Sequence, residues 1–188
     1  METGPHDARP LVWRPSRSTS LGLSLVSTVV ALAAAYAALM VAFAGRAPQR
    51  LTVTIVDVVA MAVILGVALV AHEGVHGLAI STYGGKPRFG WSHVARVVPY
   101  LSCTALGQRF SRGRYAIVAL APTVFVSLAL VVGLRSGAGG LFVIPFGIHL
   151  GVCMNDWVVA YRALREPPGA LIEDVAGGIL IHPPALLA

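Results

Sequence analysis

The chain has 188 residues, 56% of them hydrophobic and 12% charged, with a formal net charge of +6 and a mean hydropathy of +0.78. A water-soluble domain carries about 25% charged residues, so the composition argues against a soluble protein and for one that lives in a bilayer. The basic excess fits an anionic membrane surface better than nucleic acid, because no basic stretch is interleaved with stacking aromatics.

The N-terminal arm, residues 1–20, carries Arg9, Arg14 and Arg17. Residues 21–44 form an uncharged apolar run. It is longer than the roughly 7–15 residues of a secretory signal core and predicts a retained transmembrane helix. A short loop with Gly45 and Pro48 leads to residues 51–80, which are apolar apart from Asp57 and a polar cluster from His72 to His76. In the stretch 83–114, Gly84, Gly85 and Pro87 stop the helix. Arg88 to Val94 then alternates, and Val97 to Cys103 is β-prone, which predicts a hairpin lying against the membrane. Residues 115–134 form a third uncharged run, and Pro122 inside it predicts a kink and a freed carbonyl. Residues 141–164 form a fourth, interrupted by His149, Asn155, Asp156 and Arg162. The tail, residues 165–188, includes Glu173, Asp174 and a β-like stretch from Gly178 to His182.

The expected architecture is an all-α membrane protein in one domain, 1–188. Four transmembrane helices make a core over 21–164, with a small β-hairpin-like loop between helices two and three. Basic residues gather on one side: the arm, the loop (Lys86, Arg88, Arg96, Arg109, Arg112, Arg114) and the tail (Arg162, Arg165). The other side holds Arg46, Arg50 and Arg135. That bias predicts a multi-pass protein of the cell membrane with arm and tail both cytoplasmic. Cys103 and Cys153 do not form closely spaced pairs, and each reads as a small packed residue.

The chemistry is carried by His72-Glu73-Gly74-Val75-His76. Histidines four apart share one helix face, and two imidazoles at that spacing bind one zinc ion at ~2.0–2.1 Å each. Glu73 lies one position on, placed to take a proton from water beside the metal. This is the HExxH pattern of metallopeptidases. Composition alone would produce it about 0.004 times in a chain like this one, so chance is a poor explanation. A polar network between helices is the plain alternative, but ionisable groups in a membrane span cost ~2.5–3.5 kcal/mol each and mark function.

A catalytic zinc site needs a third protein ligand, and Asp57, His149 and Asp156 are the candidates. Helical rise places His72 ~15 Å and Asp156 ~12 Å in from the same membrane face, so these two share a level. His149 lies ~10 Å further along its helix, and Asp57 is ~22 Å from His72. Asp156 is therefore the favoured third ligand and His149 the second choice, while Asp57 reads as a polar residue at a helix entry. Asn155 is placed to orient a ligand or to hold a substrate carbonyl, and equally to make a plain interhelical hydrogen bond.

The order of these features resembles a family. HEGVHGL on one membrane helix is followed by Gly-Lys-Pro-Arg-Phe-Gly, a Leu-Ala-Pro helix, an Asp-bearing helix and Gly-Ala-Leu-Ile-Glu-Asp. The chain resembles, over roughly residues 65–184, the short prokaryotic membrane proteins classed as zincin peptidases. More distantly it is similar to site-2 proteases, which cleave peptide bonds within the membrane. The resemblance implies zinc, with His72 and His76 as ligands, Glu73 as catalytic base, and Asp156 in the place of the later-helix aspartate. In site-2 proteases that aspartate is followed by Gly; here Trp157 follows. It also implies that Arg88 to Cys103 takes substrate as an added strand.

The expected function is zinc-dependent hydrolysis of peptide bonds within or next to the membrane, from a cytoplasmic-side active site. Its substrate is a membrane protein or peptide, with the lipid bilayer as surroundings and no nucleic-acid partner. The alternative is a membrane metal-binding or metal-transport protein without hydrolysis, which would use the same His and Asp residues but not Glu73.

Overall fold

Four helical stretches are long and apolar enough to cross a membrane. They are seen in a computed structural model that describes residues 10–45, 52–94, 98–175 and 177–184. Arg9, Arg46, Arg50 and Arg96 of the charge-bias argument lie outside the described residues. Helix α1, Arg17–Ala42, starts where the Ser16 side chain accepts the Thr19 N–H. Helix α2, Ile55–Thr82, starts with a capping box in which Thr54 and Asp57 satisfy each other's backbone N–H. Asp57 is thus a helix-entry residue. Helix α3, Arg112–Leu134, contains Pro122.

The fourth apolar stretch is not one smooth helix. After a 3-10 turn at Gly139–Phe142, α4 runs Val143–Val152 and α5 runs Met154–Leu164, with the break at Cys153. At the break the Gly151 carbonyl accepts the Ser27 hydroxyl of α1 at 2.5 Å. Helix α1 packs along α4, α2 packs against α3 and α4, and α5 packs on α3. Apolar side chains point outward from three of the helices: Leu21, Leu25 and Val29 on α1, Val63 and Val67 on α2, Phe125 and Leu128 on α3.

The fold is mostly helical but not all-α, because it carries two sheets. The expected hairpin is present: β2, Arg88–Val94, pairs antiparallel with β3, Val98–Thr104, in a register that sets Phe89 opposite Cys103 and Trp91 opposite Leu101. The second sheet was not expected. It joins β1 (Leu11–Trp13), β4 (Arg109–Ser111), β5 (Leu171–Val175) and β6 (Gly178–His182) in the order β1-β6-β5-β4. Arm, loop and tail therefore meet in one antiparallel cap. Its Ile172, Ile179 and Ile181 are buried with Phe110 against Ile80, Tyr115, Val118 and Ala163 at the ends of α2, α3 and α5. Strands of three to five residues drawn from three distant segments leave little periodic signal, which is why only β6 was legible beforehand.

Candidate metal centre

Three side chains from two helices converge. His72 and His76 sit one turn apart on α2, both buried. Asp156 sits in the first turn of α5. Its carboxylate Oδ2 is 3.2 Å from His72 Nε2, and Oδ1 is 3.7 Å from His76 Nε2. The two imidazoles meet edge to face, with ring centroids 4.9 Å apart. One ligand atom from each residue lies within 4.8 Å of the others, close enough to hold one metal ion.

The donor set fits zinc on a physical test. Asp156 Oδ2 is buried and has no hydrogen-bond partner, although an imidazole nitrogen lies 3.2 Å away. A buried carboxylate oxygen left without a proton donor is costly. A cation between the two atoms removes that cost. Ligands held at ~2.0–2.1 Å in a tetrahedron stand roughly 3.3–3.4 Å apart, near the spacing observed.

The geometry of His76 fixes its tautomer. Its Nδ1–H donates to the Val118 carbonyl at 2.9 Å, since a carbonyl can only accept. That leaves the His76 Nε2 lone pair facing Asp156. The Val118 carbonyl is available because Pro122, four residues on, has no N–H to bond it. Trp157 holds the other helix: its Nε1–H donates to Thr123 Oγ1 of α3 at 2.8 Å, anchoring α5 beside Asp156.

His149 is buried on α4 and meets the opposite edge of His72. Its Nε2 is 3.3 Å from His72 Nδ1, away from the Nε2 edge that faces Asp156. Cys153 Sγ lies 3.7 Å from His149 Nε2 and 4.0 Å from His72 Nδ1. His72, His149 and Cys153 thus make a second set of potential metal ligands, sharing only His72 with the first. Both cysteines are free.

Glu73 is half-buried, and its Oε2 accepts the Cys103 backbone N–H of β3 at 2.6 Å. That bond brings the hairpin edge up to the motif. Burial first, and then the Glu73 and Asp174 carboxylates, push the Cys103 thiol up to about 12. Between α1, α2, the hairpin and the α4–α5 junction lies a cavity of about 710 Å³. His72, Glu73 and Asn155 line it, with Trp91 and Leu101 from the hairpin and Ser24 and Ser27 from α1.

Of the residues singled out in the sequence, the structure brings His72, Glu73, His76, Asn155, Asp156 and His149 to one place and leaves Asp57 at the far end of α2. The contributions of Val118, Thr123 and the Cys103 backbone were not foreseen. Only the first had a signal, in Pro122. A family model described as "putative zincin peptidase" matches residues 63–171, which span the whole constellation. No curated protein and no solved structure matches the chain significantly.

Proposed function

The chain belongs to the zincin peptidase family, and from that premise we propose that it is a zinc metallopeptidase hydrolysing peptide bonds within or next to the cell membrane. The observation that carries the proposal is the convergence of His72, His76 and Asp156, with a buried Asp156 oxygen lacking any hydrogen-bond partner. These three residues would hold the metal. His149 is the weaker candidate for third ligand because it faces the Nδ1 edge of His72.

Zinc, when bound, supplies a Lewis acid that polarises a peptide carbonyl and acidifies water beside it. Glu73 takes the proton from the attacking water and delivers it to the leaving amine. The Cys103 N–H holds Glu73 toward the cavity wall that it shares with His72. Asn155, lining the same cavity, donates to the substrate carbonyl as its charge develops. A membrane protein or peptide enters this cavity as an extended segment. By similarity to site-2 proteases, it pairs with the β2–β3 hairpin as an added strand.

Two observations support a membrane setting with the site near the cytoplasmic face. Apolar side chains project outward from α1, α2 and α3, which lipid tolerates and water does not. The arm, loop and tail, richest in Arg and Lys, meet in one sheet, consistent with arm and tail both cytoplasmic.

The second reading, metal binding or transport without hydrolysis, is favoured by the His72, His149 and Cys153 set, which would give a metal ion a second stop. Glu73→Gln separates the two. Hydrolysis requires that this variant keep its zinc and lose cleavage of a membrane peptide by about 10²–10⁴-fold. Undiminished cleavage refutes the mechanism. Metal flux into liposomes that survives Glu73→Gln and vanishes in His72→Ala establishes transport instead.

A further inference from the structure

Resting on the zinc reading above, we propose that His149 is a positioning residue: it accepts the His72 Nδ1–H and so holds His72 with a bare Nε2 turned toward the metal. A ligating histidine needs its other ring nitrogen engaged to fix tautomer and orientation. His76 meets that need with the Val118 carbonyl. His72 meets an imidazole at the corresponding position, His149 Nε2 at 3.3 Å, with the rings crossed at 72° and centroids 5.4 Å apart.

An imidazole accepts only if its proton is on the other nitrogen, and the structure supplies a partner for that proton. Ser127 Oγ of α3 lies 3.4 Å from His149 Nδ1. The Ser127 hydroxyl takes the His149 Nδ1–H, which leaves His149 Nε2 with a lone pair for His72. The relay Ser127–His149–His72 thus links α3, α4 and α2, and His149 is fully buried within it.

Without His149 the His72 proton has a better place to go. Asp156 Oδ2, 3.2 Å from His72 Nε2 and otherwise unpartnered, is a strong acceptor. A proton on Nε2 competes directly with the metal for that nitrogen. His149 stabilises the opposite tautomer. Cys153, near both rings, is a weak acceptor at thiol distances and does not replace it.

The test measures zinc affinity of the full-length protein in detergent by chelator competition. His149→Phe is expected to lower affinity by about 10–100-fold. His149→Gln, whose amide oxygen reaches the place of Nε2, is expected to recover most of the loss, which a merely space-filling role would not predict. Nitrogen-15 spectra of zinc-loaded wild type are expected to show His72 protonated at Nδ1. Wild-type affinity in His149→Phe, no recovery in a folded His149→Gln, or a proton on His72 Nε2 in the loaded protein overturns the proposal. So does a thiolate-to-metal absorption band in the cobalt-loaded protein that disappears in Cys153→Ser, since His149 would then be a ligand. His76→Ala keeps the two claims apart. If it binds zinc like wild type, the zinc reading falls and the positioning role falls with it. If it loses zinc while His149→Phe does not, the positioning role alone fails.

Discussion

The His76 ring donates to the carbonyl of Val118 at 2.9 Å, the carbonyl that Pro122 leaves without its helical partner. A helix interior proline costs about 3 kcal/mol relative to alanine, and here it releases an acceptor where the metal motif needs one. Pro122→Ala returns an N–H to position 122 and sets it against His76 for the same oxygen. The expected result is a helix at least as stable as before and a zinc affinity lowered by about tenfold, read by chelator competition. Unchanged affinity would mean that the carbonyl serves both donors and that the proline is only a kink.

Much of the site was legible because its signals are local. HExxH sets two imidazoles on one face from spacing alone, and counting helical rise from the same membrane face brought Asp156 level with His72. The structure puts their atoms 3.2 Å apart. The partners of those residues were not legible, because each depends on how helices are rotated about their axes. Pro122 announced a free carbonyl but not that His76 would claim it. Trp157, beside the aspartate, finds its reason only once Thr123 stands opposite. The four-stranded cap was hidden for another reason: its strands are short, and β1, β4 and β5–β6 come from segments far apart in sequence.

Cys103 offers a check on the hairpin's contact with the motif. Its thiol is pushed up to about 12 by burial, with Glu73 and Asp174 adding negative charge nearby. A raised value keeps the thiol protonated, so reactivity is low at neutral pH and grows with pH. At pH 8 the thiolate fraction is about 10⁻⁴, roughly 10³-fold below an ordinary cysteine. Alkylation of Cys103, followed by peptide mass spectrometry, is expected to be slower by about that factor and to rise tenfold per pH unit. Asp174→Asn removes one of the two charges and is expected to speed it. A Cys103 that reacts like free cysteine at pH 8 would mean that β3 does not rest on Glu73.

Asp174 ties the tail to the hairpin. Its carboxylate accepts the Ala105 N–H at 2.9 Å and the hydroxyl of buried Tyr115 at 2.8 Å. One side chain on β5 thus fixes both the end of β3 and the first turn of α3. Asp174→Ala leaves two donors unpaired and is expected to cost more than Tyr115→Phe, which removes a donor with its need. Each unpaired buried donor costs about 1–3 kcal/mol and Asp174→Ala leaves two, whereas Tyr115→Phe loses one hydrogen bond to a charged acceptor, about 1.5–3 kcal/mol. Unfolding in detergent measures both, and hydrogen exchange at Ala105 and Cys103 is expected to quicken in Asp174→Ala. Equal losses in the two variants would show that Asp174 does not hold the hairpin.

Helix α1 forms one wall of the cavity, and its place depends on two glycines of α4. A Cβ at Gly147 would stand 2.6 Å from the Ala31 carbonyl oxygen and 2.7 Å from Ala35 Cβ. Neither atom can rotate aside, so α1 must move. At Gly151 the nearest atoms would be 3.0 Å away, a milder conflict. Small residues permit such close helix approach. Gly147→Ala is expected to cost about 1–3 kcal/mol and Gly151→Ala less. Gly22→Ala on α1, where a Cβ meets nothing within 4 Å, is expected to gain about 0.5–1 kcal/mol. Because the clash is with α1, which carries neither the proposed metal residues nor His149, Gly147→Ala should keep its zinc while peptide cleavage falls as the cavity wall shifts. If Gly147→Ala is as benign as Gly22→Ala, α1 does not pack on α4 through this face, and the cavity between α1 and α2 loses its wall.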